Sequence, residues 1–182
     1  FDRQNALNNA LAEPNSGAVV AARGGYGASD LLQGIDYVSL KSKSQKIVVG
    51  FSDISAIHCA LYGQLGWAGL HAPMPATNLW EDDGPDVSQW INTLESILNR
   101  SEIDGSIKIE SVGNSAENLS GTLFGGCFSV ITNLIGTPYF PNDLSNHILF
   151  FEDIVESPAR LLRYFNQWIQ SAALDGASAI VI

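Results

Sequence analysis

Ser52 is the residue of this chain with the clearest chemical potential. It lies in Lys46-Ile-Val-Val-Gly50-Phe51-Ser52-Asp53-Ile54-Ser55, where a short apolar run stops at a glycine and an amphipathic segment begins two residues later. A strand, a tight turn and a helix in that order lift the apical side chain clear of the backbone and put unpaired N–H groups behind it. A hydrolase needs that geometry for a nucleophile, with the N–H of Asp53 pointing where an oxyanion would develop. Serine is also a favoured helix N-cap, and that reading of Ser52 stands beside the catalytic one. The usual hydrolase elbow has a second glycine two residues after the serine. Here that position is Ile54, so the elbow is not of the standard form.

Arg23-Gly24-Gly25-Tyr26-Gly27 is the second chemical feature. Three glycines in four positions let the backbone approach a ligand closely. In a parallel sheet, ligands bind outside the carboxyl ends of the strands, so this loop and Ser52 are expected to share one rim. A plain turn and a phosphate-binding loop are the alternatives. The second lacks both the Gly-Lys-Ser/Thr of a P-loop and the full G-x-G-x-x-G spacing.

Glu152-Asp153 closes the apolar run His147-Ile-Leu-Phe-Phe151. A carboxylate at a strand end is well placed to orient a histidine, and a solvated acidic turn with Glu156 is the competing reading. The histidines themselves are His58, His71 and His147. His58 is expected to point away from Ser52, His71 to lie in an irregular connection, and His147 to start a strand and face solvent. None has a claim to be the general base, without which a serine hydroxyl is a poor nucleophile. Cys59 and Cys127 read as small buried hydrophobes, and the sequence contains no zinc-type spacing.

The elements that must position these residues alternate. Ala6, Leu7, Ala10 and Leu11 give a helix over residues 2–12, ended by Pro14-Asn15-Ser16-Gly17. Ala18–Ala22 reads as a strand buried on both faces. A short helix is expected around Ser29–Gln33, a strand at Ile47–Val49 and a helix over Asp53–Leu65, with Ile54, Ile57, Leu61 and Leu65 on one apolar face. His71–Pro75 and Glu81–Pro85 read as irregular connection, and Val87, Trp90, Ile91, Leu94 and Leu98 as a helical stripe. Ser106–Ser111 alternates like a strand, and Asn114–Asn118 reads as a loop. A new unit begins near Leu119, with an apolar helix through Ile135, a turn-rich break at Gly136–Pro141 and a strand at His147–Phe151. Ser157-Pro158 marks an N-cap and N1, opening a helix with Leu161, Leu162, Phe165, Trp168 and Ile169 on its apolar face and Gly176 at its end. A last strand begins at Ala179. Helices alternating with short apolar strands predict a parallel α/β fold.

Bulk composition excludes several classes of function. Of 182 residues, 46% are hydrophobic and 15% charged, which fits a globular chain, and no apolar run is long enough for a membrane span. The net charge of −10 and the absence of a Lys/Arg cluster argue against a nucleic-acid or anionic-membrane partner. Low cysteine use fits a reducing compartment, and a cytoplasmic location is expected. The start at Phe1 and the apolar final run are read as the ends of a piece of a longer protein.

Six stretches in register resemble a known family. They are Arg23-Gly-Gly-Tyr-Gly27 with Leu31-Leu32 and Ile35-Asp36, Gly50-Phe-Ser-Asp-Ile54, His71-Ala-Pro-Met74, Gly121-Thr-Leu-Phe-Gly-Gly126, Leu134-Ile-Gly-Thr-Pro138 and Ile148-Leu-Phe-Phe-Glu-Asp153. The chain is similar across nearly its whole length to the L,D-carboxypeptidases of peptidoglycan recycling, a serine peptidase family that includes the microcin-immunity peptidases. The resemblance implies an incomplete flavodoxin-like domain over residues 1–76, a connecting segment over 77–118 and the start of a smaller mixed α/β domain over 119–182. It implies Ser52 as nucleophile and Glu152 as the acidic member of a Ser-His-Glu triad whose histidine lies outside this chain. The N–H groups of Asp53, Gly24 and Gly25 would form the oxyanion hole, with Arg23 and Tyr26 as substrate contacts. Cys127 stands where the family more often has asparagine. The implied reaction is release of a terminal D-alanine from a murein tetrapeptide, without metal or organic cofactor, and a homodimer is consistent with the family. A microcin-type peptidase acting on a peptide–nucleotide conjugate, or a non-catalytic peptide-binding relative, are the alternatives.

Overall fold

The β-branched run Ile47-Val-Val49 forms the middle of a parallel sheet, as its unbroken apolarity predicts. The computed structural model describes residues 2–81, 85–103, 110 and 118–182. Helix α1 (Asp2–Ala12) leads to β1 (Ala18–Val20), a 3-10 turn at Ser29–Gly34, and α2 (Tyr37–Leu40). Then come β2 (Ile47–Gly50), a 3-10 turn at Ser52–Ile54, α3 (Ser55–Leu65), β3 (Gly69–His71), α4 (Asn78–Glu81) and α5 (Pro85–Leu98). The remaining elements are β4 (Thr122–Cys127), α6 (Phe128–Thr132), β5 (His147–Glu152), α7 (Pro158–Gln170) and β6 (Ala179–Val181). Among the described residues, two parallel three-stranded sheets result, ordered β1-β2-β3 and β4-β5-β6. The fold is α/β, as the alternation of elements predicts.

Successive residues of β2 face opposite sides, and both sides are covered. Val48 joins the main core with Leu11, Ile57 and Leu61. Ile47 and Val49 pack with Ala72 and Trp90 in a second cluster beneath α5, where the Trp80 and Trp90 rings meet at a tilt, 5.2 Å between centroids. In the second sheet, Leu149 and Phe151 are buried, and Trp168 of α7 packs on Phe151 at 4.8 Å. The Trp168 Nε1–H donates to Thr132 Oγ1 at 2.9 Å, which satisfies the only polar atom of a fully buried indole.

Several expectations need correction. Strand β1 is not buried on both faces: it is an outer strand of its sheet, and Val20 is 41% exposed. Helix α3 has no single apolar face, because every residue from Ser55 to Leu61 is buried between the first sheet, the Ser29–Gly34 turn and α6. His71, expected in an irregular connection, is the last residue of β3, a strand too short to show a period. The apolar helix expected through Ile135 ends at Thr132. Helix α7 ends at Gln170, and Gly176 instead serves a later turn at φ 75°. Leu162 and Ile169 are exposed on α7 and do not share its buried face. The Ser157 cap is as predicted, its hydroxyl accepting the Arg160 N–H with Pro158 at the first helical position. The strand expected at Ser106–Ser111 and the loop at Asn114–Asn118 lie outside the described residues, apart from Glu110 and Asn118.

Candidate active site

Phe51 is extended, with φ −142° and ψ −173°, and the next residue, Ser52, turns to φ 59°. A non-glycine residue in the left-handed region costs about 1–2 kcal/mol, so this turn is held by its surroundings. Gly50 is part of that hold: a Cβ there would lie 3.0 Å from the Ile54 side chain, which packs over the turn. The bulk that replaces the second elbow glycine is thus accommodated by the first. Ser52 Oγ makes no hydrogen bond among the described residues, and neither the 3-10 turn nor α3 has a side-chain cap. The N-cap reading of Ser52 therefore lacks its defining bond.

The glycine loop comes to the serine. A Cβ on Gly24 would sit 3.2 Å from Ser52 Cβ and 3.4 Å from Oγ, so the missing side chain at Gly24 leaves the space that Ser52 occupies. The loop is anchored by Asp53, whose buried Oδ2 accepts the Ala28 N–H at 2.9 Å. Sequence reasoning used only the backbone of Asp53. Arg23 folds over Gly25 and donates to the Gly24 carbonyl at 3.4 Å, while Tyr26 projects with 89% of its surface exposed.

The second sheet abuts the start of α3. Ser55 Oγ, fully buried, accepts the Cys127 N–H at 3.0 Å. A Cβ at Gly126 would approach that oxygen to 2.6 Å, so a glycine is required for the contact. Beside it, strand pairing puts Glu152 opposite Cys127. Glu152 Oε1 lies 3.6 Å from His71 Nε2. The His71 ring meets Phe150 edge-on at 5.4 Å and Phe51 at 6.1 Å, and β3 pairs it with Gly50. Burial pushes His71 down to about 4, so it is neutral at pH 7. Burial, and then the neighbouring Asp153 charge, pushes Glu152 up. Asp153 has a different job, its Oδ2 accepting the Ser129 N–H at the start of α6 at 2.9 Å.

Ser52 thus meets Gly24, and Glu152 meets His71 on the other flank of β2. Sequence reasoning missed His71, Ser55 and the Asp53 carboxylate. For His71 the available signal was its place at the carboxyl end of a strand beside Gly50. The other histidines are structural. His58 is buried, bonded to the Val48 carbonyl at 2.9 Å and pushed by burial down to about 4. His147 starts β5 as expected but is half-buried rather than open to solvent. Its Nδ1 bonds to the Ser145 carbonyl at 2.9 Å, so the proton is on Nδ1 and Nε2 accepts the Tyr62 hydroxyl at 2.6 Å. Both cysteines are buried and free, with burial pushing Cys59 up to about 12 and Cys127 up as well. Neither is a thiolate nucleophile.

Residues 2–72 match the LD-carboxypeptidase N-terminal domain family and residues 120–182 the LD-carboxypeptidase C-terminal domain family. The murein tetrapeptide carboxypeptidase of Pseudomonas aeruginosa is 31% identical over 180 residues, covering 97% of this chain and 58% of its own length. The microcin C7 self-immunity protein MccF of Escherichia coli is 23% identical over 207 residues, covering 100% of this chain and 60% of its own. Among solved structures, the muramoyltetrapeptide carboxypeptidase of Oxalobacter formigenes superposes with a TM-score of 0.82 at 30% identity, covering 98% of this chain and 59% of that one. The chain therefore spans about three-fifths of the length of these relatives.

Proposed function

This chain belongs to the LD-carboxypeptidase family, and from that premise we propose that the protein carrying it is a cytoplasmic serine carboxypeptidase of peptidoglycan recycling. Its substrate is a murein tetrapeptide, and the bond cleaved is the L,D peptide bond to the terminal D-alanine. Ser52 Oγ attacks the scissile carbonyl carbon, and a histidine downstream of Ile182 takes the serine proton. The N–H groups of Asp53 and of the Gly24-Gly25 loop hold the negative oxygen. The tetrahedral intermediate collapses, the histidine protonates the departing amine of D-alanine, and water then hydrolyses the acyl-enzyme. Glu152 orients that histidine, and Arg23, with Tyr26 beside it, meets the terminal carboxylate. Residues 1–76 bear the nucleophile and its loop, 77–118 connect, and 119–182 bring Glu152.

The observation that carries this reading is Ser52 itself: a non-glycine residue at φ 59°, at the head of the 3-10 turn that leads into α3, with its hydroxyl unbonded among the described residues and lodged against Gly24. Higher identity to the murein carboxypeptidase than to MccF, 31% against 23%, favours the murein substrate over a peptide–nucleotide conjugate. In the full-length polypeptide, Ser52→Ala is expected to cut D-alanine release from murein tetrapeptide by at least about a thousandfold, with unchanged circular dichroism. Substantial residual turnover would remove Ser52 from the chemistry. Assay of a peptide–nucleotide conjugate alongside separates the two substrates.

A further inference from the structure

Two buried polar atoms near the rim have no hydrogen-bond partner among the described residues: His71 Nδ1 and Glu152 Oε1. A buried orphan costs about 1–3 kcal/mol, so each calls for an explanation. They belong to one contact, because His71 Nε2 faces that same Glu152 oxygen at 3.6 Å. Hydrogen bonds in unliganded active sites are often long and tighten when substrate binds. The contact fixes the tautomer. Nδ1 meets no hydrogen-bond partner among the described residues, whereas Nε2 faces a carboxylate, so the single proton of the neutral ring belongs on Nε2.

His71 is badly placed to serve as the base itself. The sheet order is β1-β2-β3, and Ser52 leans toward Gly24 beyond β1, while His71 closes β3 on the opposite side. The ring is fixed there by edge contacts with Phe51 and Phe150 and by pairing of its strand with Gly50. Phe51 immediately precedes the nucleophile, and Phe150 is two residues before the carboxylate. One imidazole therefore packs edge-on against the residue before the nucleophile and against a residue two positions before the carboxylate.

We propose that His71 is a positioning residue: it donates its Nε2–H to Glu152 Oε1 and thereby fixes the carboxylate so that its other oxygen faces the catalytic base. The inference rests on the assignment of Glu152 given above, and the test separates the two. Partners that hold a functional group in place are typically worth about 10–100-fold in activity. In the full-length polypeptide, His71→Phe keeps the ring contacts and removes both nitrogens. It is expected to lower kcat for D-alanine release about 10–100-fold, with KM within about twofold. His71→Gln, which keeps a donor near the Nε2 position, is expected to restore most of that loss. In a Glu152→Gln background, His71→Phe is expected to cost nothing further, because the carboxylate it acts through is gone.

A kcat within about threefold of wild type for His71→Phe, while Glu152→Gln lowers kcat by about a hundredfold or more, would overturn the inference and leave the triad assignment standing. An undiminished rate for Glu152→Gln would remove the assignment, and the inference with it. Should His71→Phe fail to fold, nitrogen-15 NMR of the unsubstituted protein decides the matter. The proposal expects the His71 proton on Nε2, and a proton on Nδ1 would overturn it.

Discussion

Gly24 and Ser52 share one small volume, and that limits what either position tolerates. The backbone of Gly24 is not in the left-handed region, so an alanine there carries no conformational penalty of that kind. Its Cβ would nevertheless stand 3.2 Å from Ser52 Cβ and 3.4 Å from Oγ. With Ser52 in the role proposed above, Gly24→Ala in the full-length polypeptide is therefore expected to cut turnover by about tenfold or more while moving stability by less than about 1 kcal/mol, because displacing the attacking hydroxyl by a few tenths of an ångström costs rate before it costs folding. Paired kinetics and urea unfolding check this, and a loss of stability matching the loss of rate would contradict it. The same residue scale shows what the sequence made legible. Ser52 and Glu152 stand out because a local pattern, an apolar run ending at a polar residue, marks each. The Asp53 carboxylate, Ser55 and His71 do not stand out, because their partners Ala28, Cys127 and Glu152 are distant in sequence and no local period connects them.

At the scale of elements, legibility follows the length of the repeating signal. Helix α5 and the start of α7 are readable because several turns of apolar periodicity, or a Ser-Pro cap, announce them. The three-residue strand β3 is not, since Gly69-Leu-His71 has too few positions to show an alternation. Burial of α3 on all sides was equally hidden, because it arises from the second sheet packing on a helix that already covers the first. That packing depends on glycine in β4. A Cβ on Gly125 would fall 1.7 Å from the Phe150 carbonyl oxygen of the paired strand. No side-chain rotation relieves a clash with a backbone carbonyl, so β4 and β5 would have to separate. Gly125→Ala is expected to destabilise by about 3 kcal/mol or more, above the ordinary cost of overpacking. A chemical-denaturation midpoint close to that of the unaltered chain would show that β4 shifts freely and that the close approach is dispensable.

Across the whole molecule, the second sheet is joined to α3 by Ser55 to Cys127 and Tyr62 to His147, and to the first sheet by His71 to Glu152. The price of this burial is acid sensitivity. His58 and His71 are both held neutral, pushed by burial from 6.5 down to about 4. An unfolded chain takes up protons on these rings below about pH 6.5, whereas the folded chain does not until near pH 4. Their contribution is therefore complete above the unfolded value and is lost as pH falls toward the folded one. A shift of that size in the fully enclosed His58 corresponds to roughly 3 kcal/mol. Glu152 acts in the opposite sense, since its raised value makes the folded state bind a proton first and offsets part of the loss. Urea unfolding of the chain is expected to show stability that is level above about pH 7 and falls steadily from about pH 6.5 toward pH 4.5. His58→Gln retains a donor for the Val48 carbonyl and removes the titrating ring, so it is expected to flatten that slope by about half. An unchanged slope in the variant would mean that His58 takes up its proton in the folded state, and would exclude its burial as the source of acid sensitivity.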